Sequence, residues 1–175
     1  CDTTMPAAPE LSLDMQPLFC ETPNVAEGRM TGGGVIRMQE VGGETVKITH
    51  GFTLHCDITL SNNLEINWAG NQWHLDKESL ENVVCTDEPD VHPEPPPAPF
   101  DTFYAFAMGR YNGMPGYQIE FVLQDAGEPG GKSDKAGMRI TGPGGEVVLF
   151  VDFDYTVSGN LQAHYDQPHG SKANK

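Results

Sequence analysis

The stretch YQIEFVLQ, residues 117–124, decides the fold. Tyr117, Ile119, Phe121 and Leu123 fall on one side of an extended chain, and Gln118, Glu120 and Gln124 on the other. Such a period of two fits a strand with one face on a core and the other in water. The same alternation recurs outward in both directions, in VIRMQEV, TVKIT, FTLHCDITL, LEINW, QWHL, FYAFAMG, MRIT and VVLFVDF. Between the runs lie EVGGET, LSNNLE, WAGNQW, RYNGMPG and TGPGGE, each with Gly or Asn able to take positive φ, as tight hairpin turns require. The best helical stripe is DKESLENV (76–83), only about two turns. The expected fold is therefore all-β: a single β-sandwich or flattened barrel of short antiparallel strands.

A chain of 175 residues is long enough for one domain with a real core. The expected organisation is an extended N-terminal tether over 1–30, with prolines at 6, 9, 17 and 23, a β domain over 31–166 and a C-terminal tail over 167–175. The proline-rich HPEPPPAPF (92–100) is read as an internal crossover, because the runs on either side are too few to close separate cores. Its acidic flanks, Asp87, Glu88, Asp90 and Asp101, are read as a solvated loop.

The formal charge of −15, with ten scattered Lys and Arg, argues against nucleic acid and anionic lipid surfaces as partners. It suits a divalent cation or a basic protein. No apolar run approaches the roughly 20 residues that cross a bilayer.

Cys1 stands first in CDTTMPAAPELS, which looks like the start of a processed lipoprotein, with Cys1 as the lipid attachment residue and a small polar tether behind it. The competing reading is plain secretory cleavage with Cys1 free or paired to Cys20. Cys56 and Cys85 each lie in an apolar, strand-like context, and a bridge between them would stabilise an exported chain by roughly 3–4 kcal/mol. No Cys/His spacing for zinc or haem occurs. The expected localisation is extracytoplasmic and membrane-anchored.

The loop DAGEPGGKSDKAG (125–137) packs three carboxylates and four glycines into thirteen residues. Asp125, Glu128 and Asp134 offer the hard oxygens that Ca²⁺ takes at about 2.3–2.6 Å. Against an ion site, the regular alternation of a calcium loop is missing, and Lys132 and Lys135 compete as countercharges. The other reading is a hairpin or crossover in which Asp125 and Glu128 accept backbone N–H groups and Pro129-Gly130 makes a turn.

No nucleophile elbow and no HExxH motif occurs, and His164, Asp166 and His169 sit near one another only at the chain end. No catalytic residue is assigned, and a non-enzyme is expected. Trp68, Trp73 and Tyr111 suit either an aromatic platform for a surface glycan or ordinary core packing.

TGGGVI, then NGMPGYQIEFVLQDAGEPGGKSDKAGMRITGPGGEVVLFVDF, then SGNLQAH, together resemble the bacterial cell-surface module known as the post-COAP domain, over roughly Thr31 to His164. The Glu-Pro-Gly and Asn-x-Gln-x-His blocks are the most specific parts. FVDFDYTVSGN departs from the pattern, where a small Gly-rich strand end is usual. The resemblance implies an extracytoplasmic β module, secreted or lipid-anchored, with no assigned catalysis. Two functions are thus expected: a structural or interaction subunit docked on a larger envelope or membrane protein complex, or a calcium-dependent adhesion or carbohydrate-binding domain.

Overall fold

In a computed structural model, residues 27–39, 44–91, 98–127 and 133–166 are described. They form nine strands: β1 Arg29–Gln39, β2 Thr45–His55, β3 Asn63–Trp68, β4 Asn71–Thr86, β5 Thr102–Tyr111, β6 Met114–Gln124, β7 Lys135–Thr141, β8 Val147–Val151 and β9 Ser158–His164. The chain is all-β, as the alternation of 117–124 predicts, and among the described residues no helix occurs. All nine strands are antiparallel members of one sheet, in the order β8-β7-β6-β5-β4-β3-β2-β1-β9.

Consecutive hairpins build β1 to β8 as a meander, and β9 alone breaks sequence by returning to β1. A single apolar cluster draws on every strand, from Met30 and Ile36 of β1 to Leu149 of β8 and Leu161 of β9. The sheet is therefore curled around its apolar face. The two outer strands are joined directly by 152–157, which stays attached to β7: Thr156 bridges Lys135, and the Val157 N–H donates to the Asp134 carbonyl at 2.8 Å.

Two turns follow from their residues. Ala69-Gly70 links β3 to β4 and Asn112-Gly113 links β5 to β6, and all four residues have positive φ, the signature of two-residue hairpins. The glycine run of β1 has a packing cause. A Cβ on Gly33 would meet the His50 carbonyl of β2, and one on Gly34 would meet Ser158 and Val157 beside β9. Only bare backbone lets β1 approach both neighbours so closely.

Four expectations change in detail. DKESLENV is not helical; it lies inside β4, where register shifts between Leu75 and Leu80 and between Glu81 and Val84, with positive φ at Glu78 and Asn82, break the period of two. TVKIT and FTLHCDITL are not separate, since β2 runs through Gly51. Residues 92–97 lie outside the described residues, but the strands on either side, β4 and β5, are antiparallel neighbours, so the chain makes no crossover between them. SGNLQAH, quoted above only for its resemblance, is a full strand.

Candidate functional site

The bridge between Cys56 and Cys85 is present, with an S–S distance of 2.03 Å and Cα atoms 6.1 Å apart. Its location follows from unequal strand lengths. β3 pairs with β4 only as far as Glu65↔His74, so the rest of β4 lacks a β3 partner. The disulfide spans that notch, tying the end of β2 to the end of β4, both half-cystines being buried in the core. A disulfide of this kind belongs to an oxidising, extracytoplasmic environment. Among the described residues no helix is long and apolar enough to cross a membrane. Cys1 and Cys20 lie outside the described residues.

Asp125 follows β6, Asp134 precedes β7, and both are buried, at 5% and 0% exposure. Their four carboxylate oxygens each accept a main-chain N–H. Asp125 Oδ1 accepts from Gly127 at 3.0 Å and Oδ2 from Ala163 at 2.9 Å. Asp134 Oδ1 accepts from Ala126 at 3.0 Å and Oδ2 from Leu161 at 2.7 Å. Leu161 and Ala163 are two apart on β9, so their N–H groups point the same way, off the side away from β1. The two aspartates thus stand where a further strand would pair. Burying a carboxylate is tolerated when its oxygens are met by donors, and here they are.

Glu128, the third acid of the candidate calcium set, lies outside the described residues. Among the described residues no three His, Cys, Asp or Glu side chains gather as a metal-holding group.

The same end of the sheet holds a third buried acid. Asp101 was expected in a solvated loop, but it is fully buried: Oδ2 accepts the Glu88 N–H at 2.9 Å and Oδ1 the Thr102 hydroxyl at 2.6 Å. The Asp101 carbonyl accepts the Asp125 N–H, and Gln124 donates to the Thr102 hydroxyl, so Asp101 and Asp125 belong to one network. Burial pushes the Asp101 carboxyl up to about 6, opposed by its two donors. Nothing in the flanking FD marks this, because the Glu88 N–H comes from 13 residues away, and only the Thr102 hydroxyl is local.

His164 lies in β9 with Nε2 3.0 Å from the Thr31 hydroxyl, and Asp166 is 3.8 Å from His55. His169 is outside the described residues. Both tryptophans are buried: the Trp73 indole N–H donates to the Tyr117 carbonyl at 3.3 Å, while Trp68 stacks on Tyr111 at 5.6 Å. They form core and no surface platform.

The outer face of β5 to β8 is less polar than a solvated sheet requires. Registered rows run straight across it: Phe106, Glu120, Arg139 and Phe150, then Met108, Gln118, Thr141 and Val147. Phe150 and Val147 are 47% and 44% exposed, and Met108 is 37% exposed. Glu120 accepts the Tyr104 hydroxyl at 2.7 Å, while the buried Arg139 Nε has no partner. Burial, reinforced by Glu120, pushes the Tyr104 hydroxyl well above its ordinary range.

Sheet, disulfide and braced edge define a disulfide-bonded all-β module of the extracytoplasmic kind. No family model, curated protein or solved structure matches the chain, so the likeness to the post-COAP module rests on the quoted residues alone.

Proposed function

We propose that this chain is a non-catalytic interaction module of an oxidising compartment, a structural or accessory subunit that docks on a larger envelope or membrane protein. The observation that carries this reading is the outer face of β5 to β8, where Met108, Val147 and Phe150 are exposed around an Arg139 with an unpartnered Nε. Apolar side chains left exposed among polar ones on an outer sheet face are stabilised by cover. Photo-crosslinkers placed at Gln118 and Thr141, between these residues, test it in native membranes. A discrete cross-linked partner is expected at both positions. A chain that migrates alone, with neither position reacting, would remove the proposal. Lipid attachment at Cys1 belongs to the same reading, and the intact mass of the native protein tests it.

A calcium-dependent adhesion or carbohydrate-binding domain is the second reading, supported by two buried aspartates on either side of Glu128. Each described carboxylate oxygen already has an N–H donor, which favours the bracing role. A bound ion at a hundred times its Kd would stabilise the fold by about 2.7 kcal/mol. We expect no change in Tm between millimolar Ca²⁺ and chelator; a rise of several degrees with Ca²⁺ would restore the ion site.

A further inference from the structure

Among the described residues, β9, the half of β4 beyond β3 and β8 each have a strand on one side only, and they are treated differently. On β9, Asp125 and Asp134 fill the open side. The unpaired half of β4 is interrupted by two register shifts and carries Asp76, Lys77, Glu78 and Glu81, features that block strand addition. β8 carries no charge, and one register shift where β4 has two. It is Val147-Val148-Leu149-Phe150-Val151, five apolar residues without a charge, and among the described residues its main chain bonds only to β7. One shift, between Ile140 and Thr141, is its sole irregularity.

An edge of this composition is a template for another strand. The charges at its ends select which. Antiparallel pairing of two copies about Leu149 would set Glu146 of each against Asp152 of the other, carboxylate to carboxylate, in a chain of net charge −15. Asp154 adds to the same end, and Glu146 and Asp152 are both exposed. The flanks that oppose a second copy attract a strand ending in lysine or arginine.

We propose that β8 is a docking edge, which takes by strand addition an extended segment of a partner protein with alternating apolar residues and a Lys or Arg at each end. This rests on the interaction-module reading and names its contact. Main-chain hydrogen bonds to β8 provide the pairing, the segment's outward apolar side chains lie beside Phe150 and Val147, and its basic ends meet Glu146 and Asp152.

The full chain is titrated with a short peptide of alternating valine and threonine carrying a lysine at each end. The controls are the same peptide with glutamate ends and one with N-methylated central residues. Binding is followed by anisotropy and by amide hydrogen exchange. The lysine-ended peptide is expected to slow exchange at Val147–Val151 and to bind at least about tenfold tighter than the glutamate-ended one, a gap that closes in high salt. The N-methylated peptide should not bind. Glu146→Lys with Asp152→Lys should reverse the preference; Asp152→Lys alone, at an exposed carboxylate, should narrow it and serves if the double variant does not fold.

Equal binding of both peptides, protection elsewhere, no binding, or a concentration-dependent dimer protected at β8 would each overturn the proposal. A native partner cross-linked at Gln118 and Thr141 with β8 unprotected would leave the interaction reading standing without this edge. Selective peptide binding in a chain that has no native partner would do the reverse.

Discussion

Ala69 has φ of 44°, a left-handed conformation that an L-residue with a Cβ adopts at a cost of about 1–2 kcal/mol. The equivalent position of the β5–β6 turn is Asn112, with φ of 50°, and asparagine is suited to it. Ala69 is exposed, so nothing in packing repays the strain. Ala69→Asn is expected to stabilise the protein by about 0.5–1 kcal/mol. Urea unfolding should show a higher midpoint at unchanged slope, and an unchanged midpoint would mean that the turn relaxes at no cost. At Gly109 the constraint is the reverse: a Cβ there would strike the Trp73 ring and the His74 carbonyl, so Gly109 is fixed by Trp73.

At the scale of elements, β9 is held on one side by β1 and on the other by two carboxylates. Asp134→Ala strands the Ala126 and Leu161 N–H groups without acceptors, and a loss of about 2–5 kcal/mol is expected whether or not calcium is present. Hydrogen exchange should quicken at Leu161 before the core strands open. Loss seen only in calcium would mean that the aspartate acts through an ion. At the opposite margin of the β1–β4 region, Cys56→Ala with Cys85→Ala should cost about 2–5 kcal/mol, since the notch beside β3 has no other covalent tie; retained stability in the double variant would show that packing alone closes it. These elements also mark how far the sequence could be read. β6 and the Asn-Gly hairpin were legible because periodicity and turn chemistry are local. So was the bridge, from two cysteines in strand-like runs. β4 was obscured because its bulges spoil alternation between Leu75 and Val84. The brace was half visible: Asp125 could be read as an acceptor of backbone N–H groups within its own loop, but the Leu161 and Ala163 donors come from β9, and a distant backbone N–H leaves no mark in a sequence.

At the scale of the whole molecule, two buried ionisable groups make stability depend on pH in opposite senses. His50 faces inward between Ile48 and Phe52 on β2, stacked on Phe52 at 6.1 Å, with neither ring nitrogen partnered. Burial lowers its pKa from the ordinary 6.5 to about 4. Between those values the unfolded chain holds a proton that the folded one refuses, so stability is full above pH 6.5 and falls as pH drops towards 4, by up to about 3 kcal/mol. Asp101 is raised from 3.8 to about 6, so across nearly the same window the folded state holds the proton and the unfolded one does not. Its contribution is present at low pH and is lost as pH rises through 6, by a smaller amount because the Glu88 N–H and the Thr102 hydroxyl stabilise the anion. The wild-type curve is therefore flatter than either group alone would make it, and the two are separated by difference. Relative to wild type, His50→Phe should gain stability as pH falls from 7 to 4, and Asp101→Asn should gain as pH rises from 4 to 7. Urea unfolding at four pH values across this range measures both. If the His50→Phe difference is level, the imidazole meets water inside the fold, and its desolvation is not what ties the stability of the sheet to pH.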